Sequence, residues 1–163
     1  MALMHQNGCK RRILCLSATP GYTMLTPAHS FTFSIRDAIE AGCISSYNVE
    51  ALLLSRDTGK RLQAMADNIV NKRQGQRGIV IVNRQQDAKQ LADLIGDKAA
   101  AYVSDSRIGD PLAIDKYNAG SIDWVVGVEA LGTGVDMPAA KTVIFAADRY
   151  AHGAIIQIVG RVL

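Results

Sequence analysis

Four short apolar runs, Ile79–Val82, Ala99–Val103, Trp124–Val128 and Thr142–Ala147, recur through the second half of the chain, with helix-patterned stretches between them. No other feature restricts the fold as strongly. Ala88, Leu91, Ala92 and Ile95 fall three and four residues apart, the buried stripe of a helix that Gly96 ends. Asp110-Pro111 reads as a helix start, with aspartate as cap and proline at the first helical position, and Gly120 as its stop. Strands alternating with helices of about 10–15 residues imply βαβ units and therefore an α/β fold, a parallel sheet flanked by helices. In such sheets ligands sit at the carboxyl ends of the strands. The polar turns after Val82 and Val128 are therefore where a ligand is expected.

The same alternation extends upstream. Ser34 is patterned as an N-cap, Asp37 three residues on completes a capping box, and Gly42 closes a short helix. Val49–Leu54 is a compact apolar run suited to a strand covered on both faces. Asp57-Thr58 opens an amphipathic helix carrying Leu62, Met65, Ala66, Ile69 and Val70. Ile13–Leu16 is a short β-type run that Ser17-Ala18-Thr19-Pro20-Gly21 ends, because proline and glycine stop a strand there. Residues 20–33 show neither period and read as a linker. A last helix is expected with Ile155, Ile156, Val159 and Val162 on one side.

At 163 residues, 48% hydrophobic and 20% charged, the chain has the composition of a soluble globular domain rather than a disordered one. A net charge of +3 and a pI near 8.8 are too mild to establish a nucleic-acid partner. Three cysteines (Cys9, Cys15 and Cys43) without CxxC spacing suggest reduced thiols and argue against a disulfide scaffold or a zinc site. No apolar run approaches the roughly 18 residues that span a bilayer, and MALMHQNGCKRR lacks a signal-peptide core. A soluble, cytoplasmic chain with no membrane partner is the expectation.

Several chemistries find no support. Gly59-Lys60 is followed by Arg61 where Ser or Thr is needed, and Leu54 stands where the first glycine of a phosphate-binding loop belongs. Gly132-Thr133-Gly134 is not a dinucleotide fingerprint, since Met137 replaces the third glycine. No acidic run follows a strand to hold magnesium, so complete NTP hydrolysis by this chain alone is not expected. Ser17, His29 and Asp37 have no triad spacing, and His5, His29 and His152 have no metal-ligand spacing. Arg161 is more informative. It follows Gly160 in the otherwise apolar AIIQIVGRVL, as either a surface arginine or a guanidinium presented across a cleft to a γ-phosphate.

Four segments then stand in one order. LSATP (Leu16–Pro20), IVIVN (Ile79–Asn83), EALGTGVDMP (Glu129–Pro138) and QIVGR (Gln157–Arg161) resemble motifs III, IV, V and VI of the superfamily two helicases. These are DEAD/DEAH-like, nucleic-acid-dependent ATPases built from two RecA-like domains. IRDAIEAGCISSYNV (Ile35–Val49) is similar to the linker between those domains. The resemblance implies that Ser17 and Thr19 couple ATP to nucleic acid, and that Gly134 and Asp136 face the ATP ribose and phosphates. It also implies that Gln157 and Arg161 reach the nucleotide, Arg161 as an arginine finger. Asn83 and Arg84 lie where the family contacts the sugar–phosphate backbone, although a plain strand-end turn reads equally well. For Asp136 the plain alternative is a turn carboxylate beside Pro138. Two departures are visible: Val128 replaces a threonine that commonly touches nucleic acid, and the second motif VI arginine falls one position past Leu163.

The resemblance implies residues 1–20 as the end of a first RecA-like domain, 21–47 as an interdomain linker and 48–163 as a helicase C-terminal RecA-like domain. The expected activity is that of half an ATP-dependent helicase or translocase. Its cofactors are ATP and Mg2+, the magnesium held mainly by the N-terminal RecA-like domain of the same enzyme, and its partner is DNA or RNA. A stand-alone, non-catalytic module that binds nucleic acid or protein is the alternative. A flavodoxin-like protein with a small-molecule pocket is a third.

Overall fold

The computed structural model describes residues 33–128, 135 and 137–146, with the single positions Ile155 and Val159. All fall in one compact unit, Phe31–Leu163. Helix α1 (Ile35–Glu40) begins where the capping box places it. The Asp37 N–H donates to Ser34 Oγ at 3.1 Å, and the Ser34 N–H donates to Asp37 Oδ2 at 2.9 Å. Helix α2 (Thr58–Lys72) starts on Asp57, whose Oδ1 accepts from the Lys60 N–H at 2.8 Å. It buries Leu62, Met65, Ala66 and Ile69.

Strand β1 (Gly78–Ile81), helix α3 (Gln85–Ile95), strand β2 (Ala99–Tyr102), helix α4 (Ala113–Asn118), strand β3 (Trp124–Gly127) and strand β4 (Thr142–Phe145) follow in order. The four strands form one all-parallel sheet in the order β2-β3-β1-β4. Its register aligns Tyr102, Gly127, Ile81 and Phe145 as the last row at the carboxyl edge. This is the α/β sheet that the alternating pattern implies.

Alternate residues of β1 enter opposite layers, as the pleat requires. Val80 and Val82 join α2, α3, Trp124 and Val126 on one face. Ile79 and Ile81 join Tyr117 of α4, Val125, Met137 and Ala140 on the other. Both faces are covered, which is why β1 and β3 read as unbroken apolar runs. Gly78 is required by close approach, since a Cβ there would lie 2.4 Å from the Thr142 carbonyl oxygen and 2.7 Å from Trp124 Cζ3.

Two expectations shift. Val49–Leu54 forms no strand; Val49 is 84% and Leu53 100% exposed. A strand needs a neighbouring edge as well as apolar content, and none of the four described strands pairs with it. Within it Glu50 Oε2 lies 2.7 Å from Arg73 Nη2. Helix α4 starts at Ala113 instead of Pro111, because the Asp110 carboxylate accepts from the Leu112 N–H (2.9 Å) and ion-pairs with Lys116 (2.6 Å), capping the helix from further back. Ile155 and Val159, one turn apart, are helical and half-buried, as the last helix requires.

Candidate functional site

The chain leaves β1 and β3, the two central strands, at the same carboxyl edge. After β1 it turns into α3, in the layer with α2. After β3 it reaches Val135, Met137 and Ala139, in the layer with α4. Open α/β sheets bind ligands at the carboxyl ends of their strands.

Asn83 and Arg84 follow β1 at that carboxyl edge. The Val82 N–H donates to the Gly127 carbonyl at 2.9 Å, which extends the β1–β3 contact to the edge, and Val82 itself is buried. The next two side chains, Asn83 and Arg84, are exposed. Arg84 is the N-cap of α3 in extended conformation, and its side chain makes no capping hydrogen bond. The exposed Arg84 thus stands at a helix start whose first-turn N–H groups receive no cap from it, a location that favours anions.

The turn after β2 supplies a second cationic point. The Gln85 amide Nε2–H donates to Ser104 Oγ at 3.0 Å, and the Asp105 N–H donates to Gln85 Oε1 at 3.4 Å. The Asp105 carboxylate grips Arg107 through Nε at 3.0 Å and Nη2 at 2.9 Å, and also accepts the Arg107 backbone N–H at 3.0 Å. The Arg107 side-chain hydrogen bond, then its backbone N–H, hold the Asp105 carboxyl below the usual carboxylate range; Asp105 in turn raises Arg107. Three of the five guanidinium N–H donors remain for a ligand, and the side chain is 88% exposed. Gly109 makes the turn possible: a Cβ there would lie 2.7 Å from Val103 Cγ2. The sequence reading points to the turns after Val82 and Val128 but not to this one. The available signal is its place after Ala99–Val103, the third carboxyl-edge turn of the same sheet.

The opposite edge has a different character. Arg77, just before β1, donates to the Tyr117 carbonyl, lies 4.3 Å from the Tyr117 ring centroid and approaches Asp123 at 4.0 Å. Lys98 approaches the same Asp123 at 3.8 Å. Burial pushes the Tyr117 hydroxyl pKa up, against the pull of Arg77. Arg77 is spent on internal partners and ties the start of β1 to α4, whereas the Lys98 side chain stays 66% exposed.

Of the residues singled out in the sequence, the structure brings Asn83 and Arg84 to one edge. Ser17, Thr19, Gly134, Asp136, Gln157 and Arg161 lie outside the described residues, as do Ile13–Leu16 and the three histidines. Among the described residues no group of three or more His, Cys, Asp or Glu side chains is placed to hold a metal ion, and no helix is long and apolar enough to cross a membrane.

Residues 60–163 match the family described as Helicase conserved C-terminal domain. A solved structure of the Mycobacterium smegmatis helicase Lhr bound to ssDNA and AMP-PNP is similar at a TM-score of 0.50 and 20% identity, over 60% of this chain and 14% of that one. The Pyrococcus furiosus Hef helicase domain is similar at a TM-score of 0.46 and 24% identity, over 64% of this chain and 22% of that one. The chain therefore spans less than a quarter of either. No curated relative matches it. The likeness to Lhr concerns the fold, a RecA-like parallel sheet flanked by helices.

Proposed function

The chain belongs to the helicase conserved C-terminal domain family, and we propose that it acts as the C-terminal RecA-like half of a superfamily two helicase or translocase. The observation that carries this reading is the carboxyl edge of the parallel sheet. There the exposed Asn83 and Arg84 follow β1 and the exposed Arg107 follows β2, two strand positions away on the same edge, in the place where α/β sheets take ligands. The ligand such an edge suits is a nucleic-acid backbone, since arginine forks match phosphate geometry. Lhr, of similar fold, was solved with ssDNA and AMP-PNP.

In this reading residues 1–20 end the first RecA-like domain, 21–47 link the two, and 48–163 form the second. Gly134 and Asp136 face the ATP ribose and phosphates. Gln157 and Arg161 reach its γ-phosphate, where a permanent cation stabilises charge developing in the transition state. Ser17 and Thr19 couple the nucleotide to the strand. The described residues offer no acidic cluster suited to Mg2+, which in this reading the first domain holds. Opening and closing of the cleft with nucleotide state changes the affinity of the edge for the strand.

The test is Arg161→Ala in the complete enzyme. Turnover is expected to fall by at least about 10³-fold, as loss of an arginine finger does, with ATP affinity only modestly reduced. Unchanged turnover removes the assignment. A second reading is a binding module that holds nucleic acid or protein without catalysis. It predicts strand affinity indifferent to ATP in the complete protein, whereas the helicase reading requires ATP to change it.

A further inference from the structure

We propose that Gln85 is a positioning residue for nucleic-acid binding, its side-chain amide holding the turn after β2 so that Arg107 meets the strand in register with Arg84. The inference rests on the nucleic-acid reading above and adds a residue that does not itself touch the ligand.

The sheet order creates the need for such a link. β1 and β2 are separated by β3, so their carboxyl ends lie two strand spacings apart, about 10 Å. Two cations on those ends act on one backbone only if the distance between them is set. Among the described residues no backbone hydrogen bond joins residues 82–85 to residues 103–107. The Gln85 side chain crosses that gap instead, donating to Ser104 Oγ at 3.0 Å and accepting from the Asp105 N–H at 3.4 Å. Using both ends of one amide fixes the turn in position and in rotation.

The second contact decides the argument. Asp105 is the residue whose carboxylate orients Arg107 through two side-chain hydrogen bonds and one backbone hydrogen bond. Gln85 therefore acts on Arg107 through Asp105, two hydrogen-bonded steps from the guanidinium. The root of the link is firm. Gln85 is the first residue of α3, whose Ala88, Leu91 and Ala92 are buried in the core, and it adjoins Arg84, so one helix start sets both cations.

A neutral residue that acts by placing a cation leaves a signature that a merely stabilising residue does not. The slope of log Kobs against log salt counts the phosphates neutralised, at about 0.7 per contact for a single strand. Gln85→Ala removes no charge, yet it is expected to flatten that slope by about 0.7 and to weaken binding about five- to tenfold, one hydrogen-bonded contact's worth.

The experiment is fluorescence anisotropy of labelled single-stranded 20-mers, DNA and RNA, titrated with the full 163-residue chain over a range of salt. It compares wild type with Arg84→Ala, Gln85→Ala, Arg107→Ala and the Gln85→Ala/Arg107→Ala double variant, all checked for unchanged melting temperature. The expected result is a double variant no weaker than Arg107→Ala alone, because the effect of Gln85 passes through Arg107. Equal factors from Gln85→Ala in both backgrounds, or an unchanged salt slope in Gln85→Ala, overturn the inference while leaving the nucleic-acid reading intact. If Arg84→Ala and Arg107→Ala also leave affinity and slope unchanged, the nucleic-acid reading fails and the inference falls with it.

Discussion

Replacing Gly78 by alanine sets two physical effects of opposite sign against each other. Alanine restricts the unfolded chain more than glycine, which alone stabilises the folded state by about 0.4–1 kcal/mol wherever the backbone accepts a side chain. At Gly78 the new Cβ would stand 2.4 Å from the Thr142 carbonyl oxygen, 3.1 Å from its carbon and 2.7 Å from Trp124 Cζ3. The Trp124 ring can shift. The carbonyl cannot, because Thr142 is the register partner of Gly78 at the start of β4 and its displacement strains the β1–β4 ladder. Overpacking of this kind costs about 1–3 kcal/mol, more where backbone has to move. The steric effect wins, and Gly78→Ala is expected to destabilise the fold by about 2 kcal/mol. For a domain of this size that lowers the melting temperature by about 6–10 °C.

Gly59→Ala is the internal control. It makes the same chemical change near the start of α2, where the nearest atom to a new Cβ is Asp57 Oδ1 at 3.5 Å, an ordinary contact. That variant is expected to raise stability by up to about 1 kcal/mol. Thermal melting followed by circular dichroism, with a urea titration to compare m-values, reads both. Gly78→Ala shifting in the same direction as Gly59→Ala would falsify the packing argument for the β1–β4 contact.

Arg77→Ala, which removes a charge-assisted hydrogen bond to the Tyr117 carbonyl and a guanidinium stacked on its ring, is expected to cost about 1.5–3 kcal/mol in a urea titration. Strand affinity should survive that change, since Arg77 stands at the amino edge; selective loss of affinity with stability intact would contradict its structural role. Asp37, Asp105 and Asp110 are each held below their ordinary value of 3.8, chiefly by Ser34, Arg107 and Lys116 respectively. A carboxylate with a lowered folded pKa stabilises above its unfolded pKa, and the contribution disappears as pH falls through the folded one. Melting temperature should therefore lose these contributions only below about pH 4, with a shallower acid limb in the Asp37→Asn/Asp105→Asn/Asp110→Asn variant; an identical limb refutes the pairing.

The alternating architecture is legible because its signals are local or periodic. Ser34 and Asp37 sit within one turn and cap α1 as spaced, and Leu62, Met65, Ala66 and Ile69 bury the face that their three- and four-residue intervals mark. Ile79–Val82 and Trp124–Val128 are apolar without interruption because α2 and α3 cover one face and α4 with residues 137–140 the other. Val49–Leu54 carries the same apolar signal and forms no strand, since composition reports a preference for burial but not the non-local edge that a strand needs. The site divides similarly. The position of Asn83 and Arg84 at the end of β1 follows from their place after an apolar run, whereas Gln85, Ser104 and Arg107 come together only once β3 is known to separate β1 from β2. That order depends on long-range pairing, which no window of sequence encodes. The roles of Gly134, Asp136, Gln157 and Arg161 rest on motif resemblance, outside the described residues.

The central claim is that the carboxyl edge of this sheet grips a nucleic-acid backbone through Arg84. The salt dependence of single-strand binding, compared among wild type, Arg84→Ala and Lys141→Ala, tests it most directly. Lys141 is exposed just before β4, at the opposite edge, and controls for loss of one positive charge. The account predicts that Arg84→Ala flattens the slope of log Kobs against log salt by about 0.7 while Lys141→Ala leaves it unchanged. Equal slopes in all three proteins, or a loss confined to Lys141→Ala, would contradict it.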